Sequence, residues 1–184
     1  LKDKDMQWTA RGRAHLLGNN IPHDGGVISF DAVLARTTDP QELIPRLFAQ
    51  VDPSLAAKIR PGDFIVAGHN FLAGKAHNNG LLAMKALGLR ILCESMGIRA
   101  FQGVVALALP CLTNCVGVTS LVRDGDEIEV DFLAGLVTNL STSTGATYQG
   151  LPDGVKNMIE KGGMLGLLAS HLKNHPELGT VTAT

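Results

Sequence analysis

Residues 61–88, PGDFIVAGHNFLAGKAHNNGLLAMKALG, decide the fold, because they read in order as strand, loop and helix. Residues 64–67 are a short apolar run between the turn pair Pro61-Gly62 and Gly68, which suits a buried strand. From Leu81 the pattern changes: Leu82, Met84, Lys85, Ala86 and Leu87 are good helix formers, and Gly88 is a natural stop. The loop between them leads into a helix N-terminus. There, unpaired N–H groups and the positive end of the helix dipole favour an anion such as a carboxylate. Lys75, His77, Asn78 and Asn79 lie in this loop. An ordinary wet surface loop has the same polarity, so local pattern leaves both readings open.

Working outward, residues 90–93 (RILC) read as a second strand. A helix separates it from residues 64–67, so the two are expected to pair in parallel. Upstream, residues 9–17 suit a first strand, and residues 18–26 (GNNIPHDGG) are a dense turn cluster. Residues 27–34 read as a short extended piece. Thr38-Asp39-Pro40-Gln41-Glu42 is a helix start, with Pro45 delaying or bending the helix, and a second short helix follows Asp52-Pro53.

Downstream, residues 95–102 read as a loop or helical turn, and residues 104–109 (VVALAL) fit either a buried helix end or a strand. Residues 116–122 alternate weakly. Residues 123–126 (RDGD) form a hairpin-type turn before the half-buried strand at 127–132 (EIEVDF). Gly135 turns the chain into residues 136–140, and residues 141–145 read as a polar loop. Two helices follow at 153–161 and 164–172, split by Gly162-Gly163. Residues 1–8 and 176–184 are expected to be disordered or extended. The pattern as a whole is an α/β domain spanning residues 1–184, with a mixed, partly parallel sheet flanked by helices.

Composition narrows the function. The 184 residues are 45% hydrophobic and 18% charged, which is globular and long enough for a substantial core. Sixteen basic and seventeen acidic residues leave no basic excess for nucleic acid or a membrane surface, and 4% aromatics offer no stacking platform for single strands. No apolar run reaches the roughly 18 residues of a membrane span. The first residues, LKDKDMQW, do not read as a signal peptide, and three cysteines fit reduced thiols in a cytoplasmic setting.

Chemistry is expected where polar residues cluster in glycine-rich loops: His23-Asp24, the loop at 68–80, and Ser95-Met96-Gly97-Ile98-Arg99. With parallel strands as described, the second and third loops emerge together at the carboxyl ends of adjacent strands, where ligands bind in open α/β sheets. An arginine there can clamp a carboxylate; as a surface ion-pair partner it has an equally ordinary role. Cys111 and Cys115 form a C-x3-C pair with no second pair nearby, a weak metal signal, and Cys93 suits the core. No HExxH, GxSxG or P-loop sequence is present.

The runs GRAHLLGNNIPHD, TTDPQEL, VDPSLAAKIRPGDFIVAGHNFLAGKAHNNGLLAMKALG and DGDEIEVDFLAG, in this order, resemble the small, swivelling subunit of isopropylmalate isomerase, in the aconitase superfamily. The resemblance spans about residues 12–170, and its most specific part is the block beginning PGDFIVAGHNF. It implies an aconitase-type swivelling β/β/α domain that docks as a lid on a large subunit, forming a heterodimer or heterotetramer. It implies that the large subunit carries a 4Fe–4S iron–sulfur cluster, and that this chain holds no metal or cofactor. The implied reaction is the reversible dehydration of a hydroxy di- or tricarboxylic acid, with a serine of the small subunit taking the proton.

The resemblance breaks at the catalytic loop. The family reads G-S-S-R-E-H; here Gly74 is followed by Lys75-Ala76-His77-Asn78-Asn79. The serine base falls on Ala76 and the carboxylate-binding arginine on His77. The later S-F-A-R-I-F segment reads Ser95-Met96-Gly97-Ile98-Arg99-Ala100, so its arginine is displaced or lost. Asp24 keeps its place, with His23 beside it where the family has threonine. Arg36 falls in a loop that tunes substrate length in the family. Lys75, His77 and Asp24 are therefore the expected catalytic residues. His23, Arg36, His69, Asn70, Asn79, Ser95 and Arg99 are the expected substrate-binding residues. The other reading is a homologue that has lost the chemistry and serves as a regulatory or carboxylate-binding partner.

Overall fold

The computed structural model describes residues 7–179. Among these, seven strands form one sheet in the order β4-β3-β2-β1-β5-β6-β7. The strands are β1 (Thr9–Leu16), β2 (Phe64–Ala67), β3 (Arg90–Cys93), β4 (Cys111–Leu112), β5 (Glu127–Asp131), β6 (Leu136–Asn139) and β7 (Thr144–Thr147). The β1–β4 half is parallel, with Ile65 opposite both His15 and Ile91. The β5–β7 half joins it antiparallel through β1, where Gly12 lies opposite Ile128. The helices are α1 (Phe30–Leu34), α2 (Pro40–Leu43), α3 (Leu55–Lys58), α4 (Asn79–Ala86), α5 (Ile98–Ala106), α6 (Val118–Leu121), α7 (Asp153–Glu160) and α8 (Met164–Asn174).

Alternation along β2 explains the layers. Ile65 and Ala67 point into one core with Leu81 and Met84 of α4 and Val104 of α5. Phe64 and Val66 point into the other with Val118 of α6, Ile128 and Val130 of β5 and Phe132. All four residues of β2 are buried, as expected for a parallel strand covered on both faces. The Phe64 and Phe132 rings stack at 6.4 Å between centroids, tying the parallel half to the antiparallel half. Beneath β1, His15 Nε2 lies 2.8 Å from Asp63 Oδ2 in a buried pair.

Several expectations need correction. Residues 27–34 are extended only at Ile28 and Ser29, where Ile28 bridges Leu47, and α1 follows at once. Asp39 caps α2 by accepting from the Gln41 N–H at 2.9 Å, as Thr38-Asp39-Pro40 implied, and the chain tightens into a 3₁₀ turn at Ile44–Arg46 around Pro45. The ambiguous run at 104–109 is the end of α5, closed by Ala108 at φ 61°. The weakly alternating run at 116–122 holds α6. The turn at 123–126 therefore joins a helix to β5 and closes no hairpin. Residues 144 and 145, read as loop, belong to the edge strand β7.

Near the ends, Trp8 and residues 176–179 fall among the described residues. Trp8 packs on both cores and its Nε1 donates to Glu160 at 3.0 Å. Pro176–Gly179 is a 3₁₀ turn. Residues 1–6 and 180–184 lie outside the described residues. No described helix is long and apolar enough to cross a membrane.

Candidate functional site

Parallel pairing places the loops after β1, β2 and β3 on one edge of the sheet. The chain then laces them together. Gly68 N–H donates to Gly18 O, Asn20 N–H to His69 O and Ala73 N–H to Ile21 O, at 3.2, 2.8 and 3.1 Å. Side chains reinforce the backbone: Asn19 Oδ1 accepts from the His69 N–H at 2.8 Å, and Asn70 Nδ2 donates to Asn20 Oδ1 at 3.0 Å. On the other side, Ser95 Oγ accepts from the Asn70 N–H at 2.9 Å and Ser95 O from the Phe71 N–H at 2.9 Å. Asn20, Asn70 and Leu72 all hold positive φ, between 57° and 59°. For a branched residue such as Leu72 this conformation is strained, and buried packing holds it there.

At one end of this crest His77 Nδ1 meets Asp24 Oδ2 at 2.6 Å. A histidine held through Nδ1 by a carboxylate keeps its tautomer and leaves Nε2 to exchange a proton. The other Asp24 oxygen, Oδ1, is buried without a hydrogen-bond partner among the described residues, and so is His23 Nε2. Unpaired buried polar atoms are rare in folded proteins and call for an explanation, a functional role being one. His23 is 2% exposed, and burial holds its imidazole below the ordinary histidine range. The Asp24 charge and the His77 backbone oppose that shift, and the His77 side-chain charge adds to it.

The other expected residues fall around this pair. Asn79, the first residue of α4, donates from Nδ2 to Thr37 O at 2.6 Å and so fastens the segment that carries Arg36. His69 Nε2 lies 2.9 Å from Glu94 Oε2. The structure thus gathers His23, Asp24, His77, His69, Asn70 and Ser95 into one laced loop cluster, with Asn79 anchoring its flank. Lys75, Arg36 and Arg99 are exposed, and no hydrogen bond or ion pair engages their side chains among the described residues. Arg99 stands in the first turn of α5. Three participants escaped the reading of the sequence: Asn19 and Asn20 looked like generic turn residues, and Glu94 was masked by its position at the end of an apolar strand.

The three cysteines belong to the core. Cys93, Cys111 and Cys115 are free and buried, and burial pushes the Cys93 and Cys115 thiols up to about 12 and raises Cys111 as well. Among the described residues no group of three His, Cys, Asp or Glu side chains is arranged to hold a metal ion.

Comparison with known proteins agrees with this architecture. No protein-family model matches the chain. The isopropylmalate/citramalate isomerase small subunit of Methanocaldococcus jannaschii is 31% identical over 164 residues, covering 89% of this chain and 95% of that protein. The 3-isopropylmalate dehydratase small subunit 1 of Methanopyrus kandleri is 34% identical over 164 residues, with 89% and 94% covered. A crystal structure of 3-isopropylmalate dehydratase from M. jannaschii superposes with a TM-score of 0.77 at 26% identity, covering 92% of this chain and 98% of that one. The chain belongs to the family of isopropylmalate dehydratase small subunits.

Proposed function

We propose that the chain is the small subunit of a cytoplasmic hydro-lyase or isomerase, which reversibly dehydrates a hydroxy di- or tricarboxylic acid together with a large subunit. The names of its relatives, both small subunits of such enzymes, support the class of reaction and the need for a partner. The small-subunit names of the relatives support an iron–sulfur cluster held by that partner.

The Asp24–His77 contact carries the catalytic part of the reading. His77 accepts the proton from the carbon next to the substrate carboxylate, through Nε2. Asp24 fixes the ring and stabilises the imidazolium that forms. This pair does the work of the serine that Ala76 replaces. The exposed cations of Lys75, Arg36 and Arg99 supply positive charge for the substrate carboxylates, and Asn70, Asn79, Ser95 and His23 shape the loops that present them.

The test is co-expression with a dehydratase large subunit, then assays on a panel of hydroxy diacids. An active complex that loses turnover in His77→Ala bears out the reading. A complex that assembles but dehydrates none of the panel overturns it in favour of a regulatory or carboxylate-binding partner.

A further inference from the structure

A second histidine–carboxylate pair stands on the same crest. His69 Nε2 lies 2.9 Å from Glu94 Oε2, and the Thr119 hydroxyl donates to Glu94 Oε1. The two members differ in exposure: the His69 side chain is 60% exposed and Glu94 only 10%. Such an arrangement is a poor way to gain stability. A pair with one partner in open solvent contributes little, while taking the carboxylate out of water has a cost. Glu94 is nevertheless kept ionised: the Thr119 hydroxyl, His69 and the Thr119 and Gly117 backbone hold it below the usual carboxylate range. The backbone of His69 is fixed as well, by Asn19 Oδ1 and by the Asn20 N–H. The result is an imidazole in a set orientation with its Nδ1 edge turned away from the carboxylate. It shares a loop with His77 and emerges from the same edge of the sheet.

We propose that His69, oriented by Glu94 and Thr119, is the second proton-transfer group of the dehydration. This rests on the assignment of His77 as base. His77 takes the proton from carbon, and the C–H electron pair becomes the new double bond. The C–O bond breaks with its pair on oxygen, and the His69 imidazolium gives that oxygen a proton, releasing water. One proton has entered the protein and one has left; rehydration runs the same transfers backwards. Glu94 and Thr119 act through His69 and are positioning residues.

The experiment compares His69→Ala, His69→Gln and Glu94→Gln in the chain assembled with its large subunit. The expected result is a fall in kcat of about 100-fold for both His69 variants, with KM nearly unchanged. Because His69 is exposed, both variants are expected to assemble and melt like the parent. Imidazole added to the assay is expected to restore turnover to His69→Ala alone, since glutamine still fills the site. Glu94→Gln is expected to fall between the parent and the His69 variants. Full activity in both His69 variants overturns the proposal, and so does a slow His69→Ala complex that imidazole does not rescue. An active parent in either case leaves the wider reading intact, whereas an inactive parent complex overturns both.

Discussion

His77 Nδ1 lies 2.6 Å from Asp24 Oδ2, across 53 residues of chain. The two loops that carry them are neighbours because β1 and β2 run parallel, so both loops leave the same edge. If Asp24 orients the imidazole of a working base, Asp24→Asn keeps the loop but loses the charge that favours imidazolium. A drop in kcat of roughly 10²–10⁴ with little change in KM is expected. Steady-state kinetics of the assembled complex measures it, and an unchanged kcat would rule out the pair as the proton acceptor.

The His23 imidazole gives the fold a pH dependence of known sign. Burial lowers its pKa from the ordinary 6.5, so the folded chain favours the neutral ring. Below 6.5 the unfolded chain binds a proton that the folded one resists. The stability contributed by the neutral ring is complete above that value and is lost as pH falls from it toward the folded pKa. His23→Thr removes this term. The difference in Tm between the parent and His23→Thr is expected to shift against the parent as pH is lowered from 7.5 to 5.5. Thermal melts at four or five pH values measure it, and a constant difference would show that the ring charges freely in the fold.

Much of this could be read before the structure, for physical reasons. β2 announces itself as a fully apolar run closed by turns and β3 as a mostly apolar one opened by Arg90, and the intervening helix dictates their parallel pairing. That pairing alone brings the loops at 68–78 and 94–97 together. The first strand was legible too, so the meeting of Asp24 with His77 followed once β1 was placed beside β2. β7 was not legible, because an edge strand of threonine, glycine and alanine has no buried face to alternate. Nor was α1: it is only five residues long, and one turn with Phe30 and Leu34 exposed is too short to show a helical period against an extended one. The lacing by Asn19, Asn20 and Glu94 was hidden because a polar side chain that brackets a loop looks the same in sequence as one that merely wets it.

Asp63 is the most heavily used buried carboxylate among the described residues. It pairs with His15 at 2.8 Å and accepts from the Arg60 N–H at 2.8 Å and the Arg13 N–H at 3.3 Å. Asp63→Ala leaves His15 and two backbone donors without a partner, and a cost of about 3–5 kcal/mol is expected. His15→Ala leaves Asp63 its two backbone bonds and is expected to cost less. Urea unfolding of the two variants gives the order, and the reverse order would show that the imidazole, not the carboxylate, organises this end of the sheet.

Gly68 ends β2 where the crest begins. A Cβ added there would stand 1.9 Å from Asn19 Oδ1, the atom that accepts the His69 N–H. Gly68→Ala must therefore push Asn19 aside and release His69. A stability loss of about 1–3 kcal/mol is expected from the crowding. Turnover is expected to fall further than the melting temperature implies, because the loop bearing both histidines loses a bracket. Comparing kcat at a temperature well below both melting points separates the two effects; a kcat equal to the parent's would mean the bracket is structural only.

The cysteines offer a check on the interior. Thiol reagents attack the thiolate, and burial pushes Cys93 and Cys115 up to about 12 and raises Cys111. At neutral pH the thiolate fraction is then negligible, and the apolar cluster around all three blocks approach. No cysteine is expected to react with a disulfide reagent in the native chain over minutes, and all three are expected to react in denaturing urea. Partial labelling in native buffer, confined to Cys115, would mean that the turn ahead of α6 opens. Such opening would loosen the Gly117 and Thr119 contacts that hold Glu94 toward His69.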